Sequence, residues 1–436
     1  MSLSRSASTK VPFTKRLNCG EDVFPYNPEV TGLSFMPSLA LRSRHHPPHR
    51  LYDEAEILPN SLTWSVVPIA SANDVARLER TLDSIDRADT GVSLFQTSGW
   101  LAASANAVLA NSHAEVRMLL AKRGEMAVAA LPFSVRSIFG LKIATPLGHP
   151  LAQYSEILME DAAYRQLGPD ELRKAFALVL DIDAFCFRRV RDDAKIVGLM
   201  RDLGGEKCWR SKAPFADLTR FPDFQAFLKG QWKAHRNRSR LRRRADKDKS
   251  LTFEIAASSS RAVELARSAI ELKRRWLRSK LRLFGTLSSS EWCEALAKAV
   301  EYPASSTQPV VTALHIHGRL AAIEVGFVRH RHYYAFLGAY EPELKRLSPT
   351  ELLMEDTIRW CFAHGVKCYD LLPPDDAYKL KWTNDAMGVS DWIVCRSFAG
   401  RLYMKWRYRI FLPLAMRFVN VATRGHEWIS RVRKAG

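Results

Sequence analysis

Four residues around the end of one short apolar strand could do chemistry. Asp370 falls within the strand expected over Val366–Leu372, and Asp376, Tyr378 and Lys379 follow in the loop beyond Pro373-Pro374. A carboxylate there can take a proton, a phenol can give one, and an ammonium can anchor negative charge. Strand ends in open α/β sheets border the ligand crevice, and the two prolines turn the chain sharply back over the sheet edge. Asp370 and Lys379 are therefore expected in one crevice. The plainer alternatives are that Asp370 caps neighbouring backbone and that Lys379 is an exposed ion-pair partner. Upstream, Lys345 and Arg346 precede a helix that begins Ser348-Pro349-Thr350-Glu351. The N–H groups of a helix start hold anions, phosphates above all, and two cations beside them strengthen the attraction. Ser348 with Glu351 reads as a capping box and Pro349 takes the first helical position, so this helix is expected to cap itself.

Glu324 breaks an otherwise apolar strand, Leu320–Val328. Buried, it would have a raised pKa suited to a base; at a sheet edge it would face solvent. His315/His317 and His330/His332 each place two imidazoles on one strand face, but no carboxylate or cysteine stands at ligand spacing, and no metal is expected. The His45-His46/His49 cluster lies in a leader rich in proline and reads as a solvated tail. Neither a G-x-S-x-G elbow nor a P-loop occurs, which excludes the usual serine hydrolase and NTPase signatures.

The elements that must position these groups are written twice. VRMLLAKRGEMAVAALPFSV (116–135) aligns without a gap on VVTALHIHGRLAAIEVGFVR (310–329), with Gly124 over Gly318 and Phe133 over Phe327. Each copy reads as an antiparallel hairpin turning at its glycine. Around the first lie an expected strand Thr63–Ile69, a helix Ala72–Ile85, a helix opened by Phe95-Gln96-Thr97-Ser98-Gly99-Trp100, a strand 142–147, a helix Pro169–Leu180 and a strand Ala184–Val190. After the second come a strand His332–Leu337, a helix Pro349–His364 stopped by Gly365, and the strand that carries Asp370. The order of hairpin, strand, helix and strand recurs, which predicts one mixed α/β fold used twice.

The chain has 436 residues, 47% of them hydrophobic, enough for two domains and tails. Lysine and arginine exceed aspartate and glutamate by 65 to 46, and a net charge of +19 attracts phosphate-rich molecules or anionic headgroups. Seven scattered cysteines without a C-x-x-C pair fit a reducing cytoplasm. Residues 1–61 lack periodicity and read as a basic, disordered leader. The run 233–249 holds nine lysines and arginines against two aspartates, and would be either a solvated connector or a binding surface for nucleic acid, phosphosugar or membrane. In the segment after 397, aromatic and aliphatic residues alternate with Arg401, Lys405, Arg407 and Arg409. That pattern suits a helix on an anionic bilayer, though Pro413 is expected to interrupt it and packing on the protein itself would use the same face.

From Leu272 to Trp382 the sequence resembles the GNAT-like acyltransferases of the BioF2-like or CelD/BcsL group, named for an association with bacterial cellulose biosynthesis. The resemblance rests on Gly318-Arg319-Leu320-Ala321-Ala322, Tyr333–Tyr340, Ser348–Leu353, Tyr369–Leu372 and Tyr378–Trp382, with Phe95–Trp100 similar to the family's N-terminal signature. It implies a tandem GNAT fold akin to the FemAB proteins, with domains at 62–250 and 251–396, the second carrying the chemistry, and a basic amphipathic segment at 397–436. It also implies acyl transfer, from acetyl-CoA or another acyl-CoA, to an amine or hydroxyl of a sugar or polysaccharide precursor. In that reaction Asp370 would be the general base, Tyr378 the proton donor to the leaving thiolate and Lys379 an electrostatic anchor, with Lys345, Arg346 and Ser348 holding the donor's phosphates. Members that use acetyl-CoA present a glycine-rich turn where this chain has Arg346–Glu351. Two rivals stand beside this expectation: a non-catalytic accessory protein of exopolysaccharide synthesis, docked at a membrane or synthase, and an aminoacyl-tRNA-dependent transferase, the one reading with a nucleic-acid partner. The expected location is the cytoplasm, or the periphery of the inner membrane.

Overall fold

A computed structural model describes residues 62–414 except 87–90, 112–113, 168, 231, 247–249 and 280–285. The leader, its histidine cluster and the last residues of the C-terminal segment lie outside the described residues. The first half runs β1 (Thr63–Ile69), α1 (Ala72–Asp86), α2 (Ser98–Leu109), β2 (Ala114–Arg123), β3 (Met126–Ile138), β4 (Leu141–Pro146), β5 (Leu158–Met159), α3 (Asp161–Gln166), α4 (Pro169–Ala177), β6 (Ala184–Arg191), α5 (Lys195–Asp202) and β7 (Glu206–Asp217). Two helices connect the halves, α6 (Phe224–Gly230) and α7 (Trp232–Ala245). The second half runs β8 (Thr252–Ile255), α8 (Ser259–Ser279), α9 (Ser290–Glu301), β9 (Thr307–Ile316), β10 (Arg319–Arg329), β11 (His332–Tyr340), α10 (Pro349–Ala363), β12 (Cys368–Asp370) and β13 (Asp385–Cys395), followed by α11 (Phe398–Trp406).

All thirteen strands form one mixed sheet in the order β1-β2-β3-β4-β6-β13-β7-β12-β11-β10-β9-β8, with β5 paired beside β3. Read from its two ends, the order is the same twice. β1 and β8 flank equivalent hairpins, β4·β6 and β11·β12 are the two parallel pairs, and the last strand of each half crosses over to pair with the other half's parallel strand. β13 lies against β6, and β7 against β12. The two exchanged strands also pair with each other along their length, from Asp385↔Phe215 to Ile393↔Glu206. The fold is mixed α/β, built from two similarly ordered halves locked by this exchange.

The hairpins occupy equivalent places, but the gapless alignment is out by one residue. The turn residues are Gly124-Glu125 in the first and His317-Gly318 in the second, because the flanking pairs are Arg123↔Met126 and Ile316↔Arg319. His317 and Gly318 both have positive φ, as a type I′ turn requires, whereas Gly124 alone is positive in the other. Glycine thus moves from the first to the second turn position with the turn type. Counted from the turns, each hairpin bulges at the third residue of its second strand, Val128 and Ala321. A one-residue slip exchanges the faces of a strand, so the turn count sets which residues correspond.

The largest core cluster spans both halves: α1 and α2 pack with α8 and α9 on one face. Gly99 permits this, since a Cβ there would lie 2.8 Å from the Tyr302 carbonyl oxygen and 2.9 Å from the Ala304 nitrogen. Arg329, 1% exposed, ties the ends together through Asp86 at 2.6 Å and the Val92 carbonyl at 3.2 Å. On the opposite face α10 covers β9–β12, and α7 packs on α10.

α7 is the basic connector, and its charge has an inner partner. Arg238, 1% exposed, donates to Glu355 at 2.7 Å and lies 3.9 Å over the Trp382 ring, while Arg242 donates to Asp356 at 2.9 Å. Leu241 and Ala245 join Leu352 and Leu353 in a small core. Arg236, Arg240, Arg243 and Arg244 remain exposed.

Candidate active site

β11 and β12 pair over only three residues, His332↔Cys368, Tyr333↔Tyr369 and Tyr334↔Asp370, and Asp370 is the last of them. It is 2% exposed. Its Oδ2 accepts from Tyr154 at 2.8 Å and lies 3.2 Å from His332 Nε2; its Oδ1 accepts from the Leu372 amide at 2.7 Å and from Tyr154 at 3.1 Å. Burial alone would push this carboxyl up. The hydrogen bond and charge of His332, with Arg191 and the Leu372 amide, outweigh it and hold the pKa below the ordinary value. An ionised carboxylate has about four acceptor sites, and three donors converge on them here.

Tyr154 comes from the first half, at the end of the 147–155 segment. Phe95 packs edge-on to Tyr154 at 5.8 Å, Tyr334 at 5.9 Å and Trp100 at 5.0 Å, and Gln96 donates to the Tyr154 carbonyl at 2.8 Å. The Phe95–Trp100 signature therefore holds the ring that reaches Asp370. Arg191 lies 5.3 Å over the same ring. His332 stacks on Tyr334 at 4.4 Å and is 24% exposed at the side chain. Its Nε2 is taken by Asp370, and its Nδ1 has no hydrogen bond among the described residues.

Lys379 shares Leu372 with Asp370. Its Nζ donates to the carbonyls of Leu372 and Pro374, both at 2.9 Å, and lies 3.5 Å from Asp376 Oδ2. Burial lowers its pKa to about 8, against the pull of Asp376. Two of its N–H bonds go to backbone carbonyls, so Lys379 braces the Leu372–Pro374 turn. Tyr378 opens the next turn, its ring centroid 6.0 Å from Lys379 Nζ.

Lys345 and Arg346 are exposed just ahead of α10. Ser348 corrects the capping box: it sits in the left-handed region at φ 48, ψ 54 and makes no side-chain cap bond. Side-chain capping needs an extended residue at that position, and this one is curled to join a 3-10 turn to the helix. Glu351 instead lies 3.4 Å from Lys381, which ties the loop after β12 to the start of α10.

Glu324 is buried in the sheet on the α10 face. Its oxygens accept from Tyr333 and Tyr369, each at 2.9 Å, and those rings stack at 4.9 Å. Burial raises its pKa to about 7, opposed by the two phenols. Gly326 makes room, since a Cβ there would collide with the Tyr333 hydroxyl. His315 pairs with Glu254 at 2.7 Å and His317 with Ser250 at 2.8 Å. No cluster of three metal-ligating side chains occurs among the described residues. A small cavity lined by Trp64, Leu119, Leu131 and Ile157 lies in the first half's core.

Sequence reasoning placed Asp370 and Lys379 together but missed Tyr154 and His332 as partners. Tyr154 is 216 residues from Asp370 and lies in a connection without periodicity. His332 carried a signal, a histidine two residues before Tyr334 on one strand face, which was read only for metal.

The family model of the acetyltransferase (GNAT) domain matches residues 233–380, which include Glu324, His332, Asp370 and Lys379. No curated protein matches the chain. Among solved structures, FemX is similar over 74% of this chain and 96% of its own at 9% identity and a TM-score of 0.49. L-PGS from Bacillus licheniformis is similar over 82% and 99% at 11% identity, TM-score 0.47. A tandem GNAT protein from the clavulanic acid biosynthesis pathway is similar over 77% and 100% at 13% identity, TM-score 0.42. Among the described residues no helix is long and apolar enough to cross a membrane.

Proposed function

We propose, within the acyltransferase class that the 233–380 match supports, that the second half moves an acetyl or related acyl group from an acyl-CoA thioester to an amine or hydroxyl of a sugar or polysaccharide precursor. The observation that carries the catalytic part is the Tyr154–Asp370–His332 chain at the point where β11 and β12 part. A carboxylate that accepts from Nε2–H fixes the imidazole tautomer and leaves Nδ1 as an open base. His332 takes the acceptor's proton as the nitrogen or oxygen attacks the carbonyl carbon; the C–S bond then breaks and Tyr378 protonates the thiolate. Asp370 is the positioning residue in this scheme, and Lys379 holds the Leu372–Pro374 turn whose Leu372 amide donates to Asp370. Lys345, Arg346 and the start of α10 meet the donor's phosphates. The acceptor class rests on the resemblance to the BioF2-like group.

A second reading, with aminoacyl-tRNA as donor, is favoured by one feature. Arg236, Arg240, Arg243 and Arg244 extend the cationic surface beyond what one pyrophosphate needs. Thermal-shift titrations with acetyl-CoA and with aminoacyl-tRNA separate the two, because a ligand of the native state raises Tm. Thiol release from acetyl-CoA in the presence of amino sugars tests the first reading. Stabilisation by aminoacyl-tRNA alone, with no thiol released, would replace it.

A further inference from the structure

We propose that α11, with the turn at Phe139 beside it, is a docking surface for an anionic lipid bilayer. The helix is pinned by one side. Met404 and Tyr408 are buried, Tyr408 lies 3.0 Å from Cys186, and Ser397 caps the helix through the Gly400 amide at 2.9 Å. Gly400 lies so close to Asp183 that a Cβ would meet its carbonyl oxygen at 2.5 Å. The opposite side is therefore held outward, and it is apolar. Phe398, Leu402, Trp406, Ile410 and Leu414 recur every four residues and are 83%, 61%, 40%, 51% and 46% exposed. A π-turn over Arg407–Phe411 adds Phe411, stacked on Trp406 at 5.2 Å, and the helical backbone continues through Pro413 rather than stopping there. Phe139, 87% exposed at the tip of the β3–β4 turn, packs edge-on to Tyr403 at 6.4 Å.

Beside the apolar row runs a second row with the same spacing, Arg401, Lys405 and Arg409, all exposed and none within ion-pair distance of a described carboxylate. An apolar stripe flanked by basic residues is the pattern of a helix lying in a membrane interface. The charge pattern continues in the sequence: from Arg401 to the last residue there are nine lysines and arginines and one acidic residue, Glu427. That excess selects an anionic surface over a second copy of this chain, which would bring the same charge to the contact. The internal repeat adds a control. α6 follows β7 as α11 follows β13, and its Phe224, Phe227 and Leu228 are buried, with both phenylalanines against Phe362 of α10. Among the described residues the first half provides no such cover for α11.

The test uses the full chain with vesicles of phosphatidylcholine alone and of phosphatidylcholine mixed with phosphatidylglycerol, read by flotation. The chain should float with the mixed vesicles and not with the neutral ones, and high salt should release it. Arg401→Ala with Lys405→Ala and Arg409→Ala should weaken partitioning about a hundredfold. Leu402→Gln with Ile410→Gln should abolish it with Tm unchanged; if Tm falls, the basic triple variant decides, since its side chains bury nothing. Absence of binding by the parent chain, or binding that the basic variant retains, would overturn the proposal. So would a dimer that the Leu402/Ile410 variant dissociates, which would assign the face to a second copy.

Discussion

Counted from equivalent turns, the two halves set different residues on the same backbone positions. The first residue after the β3–β4 turn is Leu141, and after the β10–β11 turn it is His332; two residues on stand Ile143 and Tyr334. Ile143 pairs with Ala184 where Tyr334 pairs with Asp370. Six residues past the hairpin turns stand Leu131 and Glu324, and opposite them Leu119 and Thr312. His332, Tyr334, Asp370, Glu324 and Thr312 of the second half's centre thus have the apolar twins Leu141, Ile143, Ala184, Leu131 and Leu119 in the first. The first half has also filled its own gap between β4 and β6 with the 147–155 segment, where Ser155 donates to the Arg188 carbonyl at 2.6 Å and Arg189 to the Ala152 carbonyl at 3.3 Å. From that plug Tyr154 reaches across to Asp370. Duplication has left one half as a scaffold that lends the other the Tyr154 hydroxyl and the Arg191 charge.

The sharpest way to break this contrast is at Asp370. Asp370→Asn puts an amide where three donors converge, so the His332 tautomer is no longer specified, and turnover should fall about 10²–10⁴-fold in a thiol-release assay. Unchanged turnover would reduce Asp370 to a brace for the Leu372 turn. Tyr154→Phe removes the first half's hydrogen bond to Asp370. The loss of a charge-assisted hydrogen bond should cost about 1.5–3 kcal/mol in urea unfolding and roughly tenfold in kcat, with KM for the donor little altered.

A third comparison concerns two carboxylates, one half-buried and one buried. Glu156 of the first half accepts from the amides of Ile157, Lys195 and Ile196, and Glu324 of the second from two tyrosines; burial raises each to about 7. From their ordinary value of 4.5 up to about 7, the folded state holds protons the unfolded state has shed. Stability should therefore fall as pH rises through this window and level off above it, by about 3 kcal/mol for each group. Glu324→Gln should remove roughly half of that slope in urea titrations at pH 5 and pH 8. An unaltered slope would mean that Glu324 stays ionised between its tyrosines. The smallest effect is expected at the surface. Lys345→Ala with Arg346→Ala should weaken donor binding a few-fold at low salt and less at high salt, since screening already weakens the native contact. Unchanged affinity at low ionic strength would remove both from the site.

Local rules made much of the fold legible. β1 and α1 stand where the alternation of Thr63–Ile69 and the apolar spacing of 72–85 put them, and α10 starts at Pro349 and stops before Gly365 as expected. The strands β7 and β13 were not legible, because their partners belong to the other half and no local pattern announces an exchange. The repeat was visible, but glycine marked the wrong register, since its turn position depends on the sign of φ at its neighbour. In the site, Asp370 and Lys379 could be read from strand end, proline turn and loop. Ser348 could not, because a capping-box pattern does not reveal a left-handed backbone. The inner face of α7 could not either, because Glu355 and Asp356 lie more than a hundred residues from the arginines they neutralise.

The account stands or falls on His332 against its twin. His332→Ala and Leu141→Ala should be compared in one acyl-transfer assay with acetyl-CoA, each variant first shown to keep the parent's melting profile. The His332 variant should lose about 10²–10⁴-fold in kcat, while the Leu141 variant keeps the parent's rate. Full activity in the His332 variant, or an equal loss in the two, would contradict a catalytic centre confined to the second half.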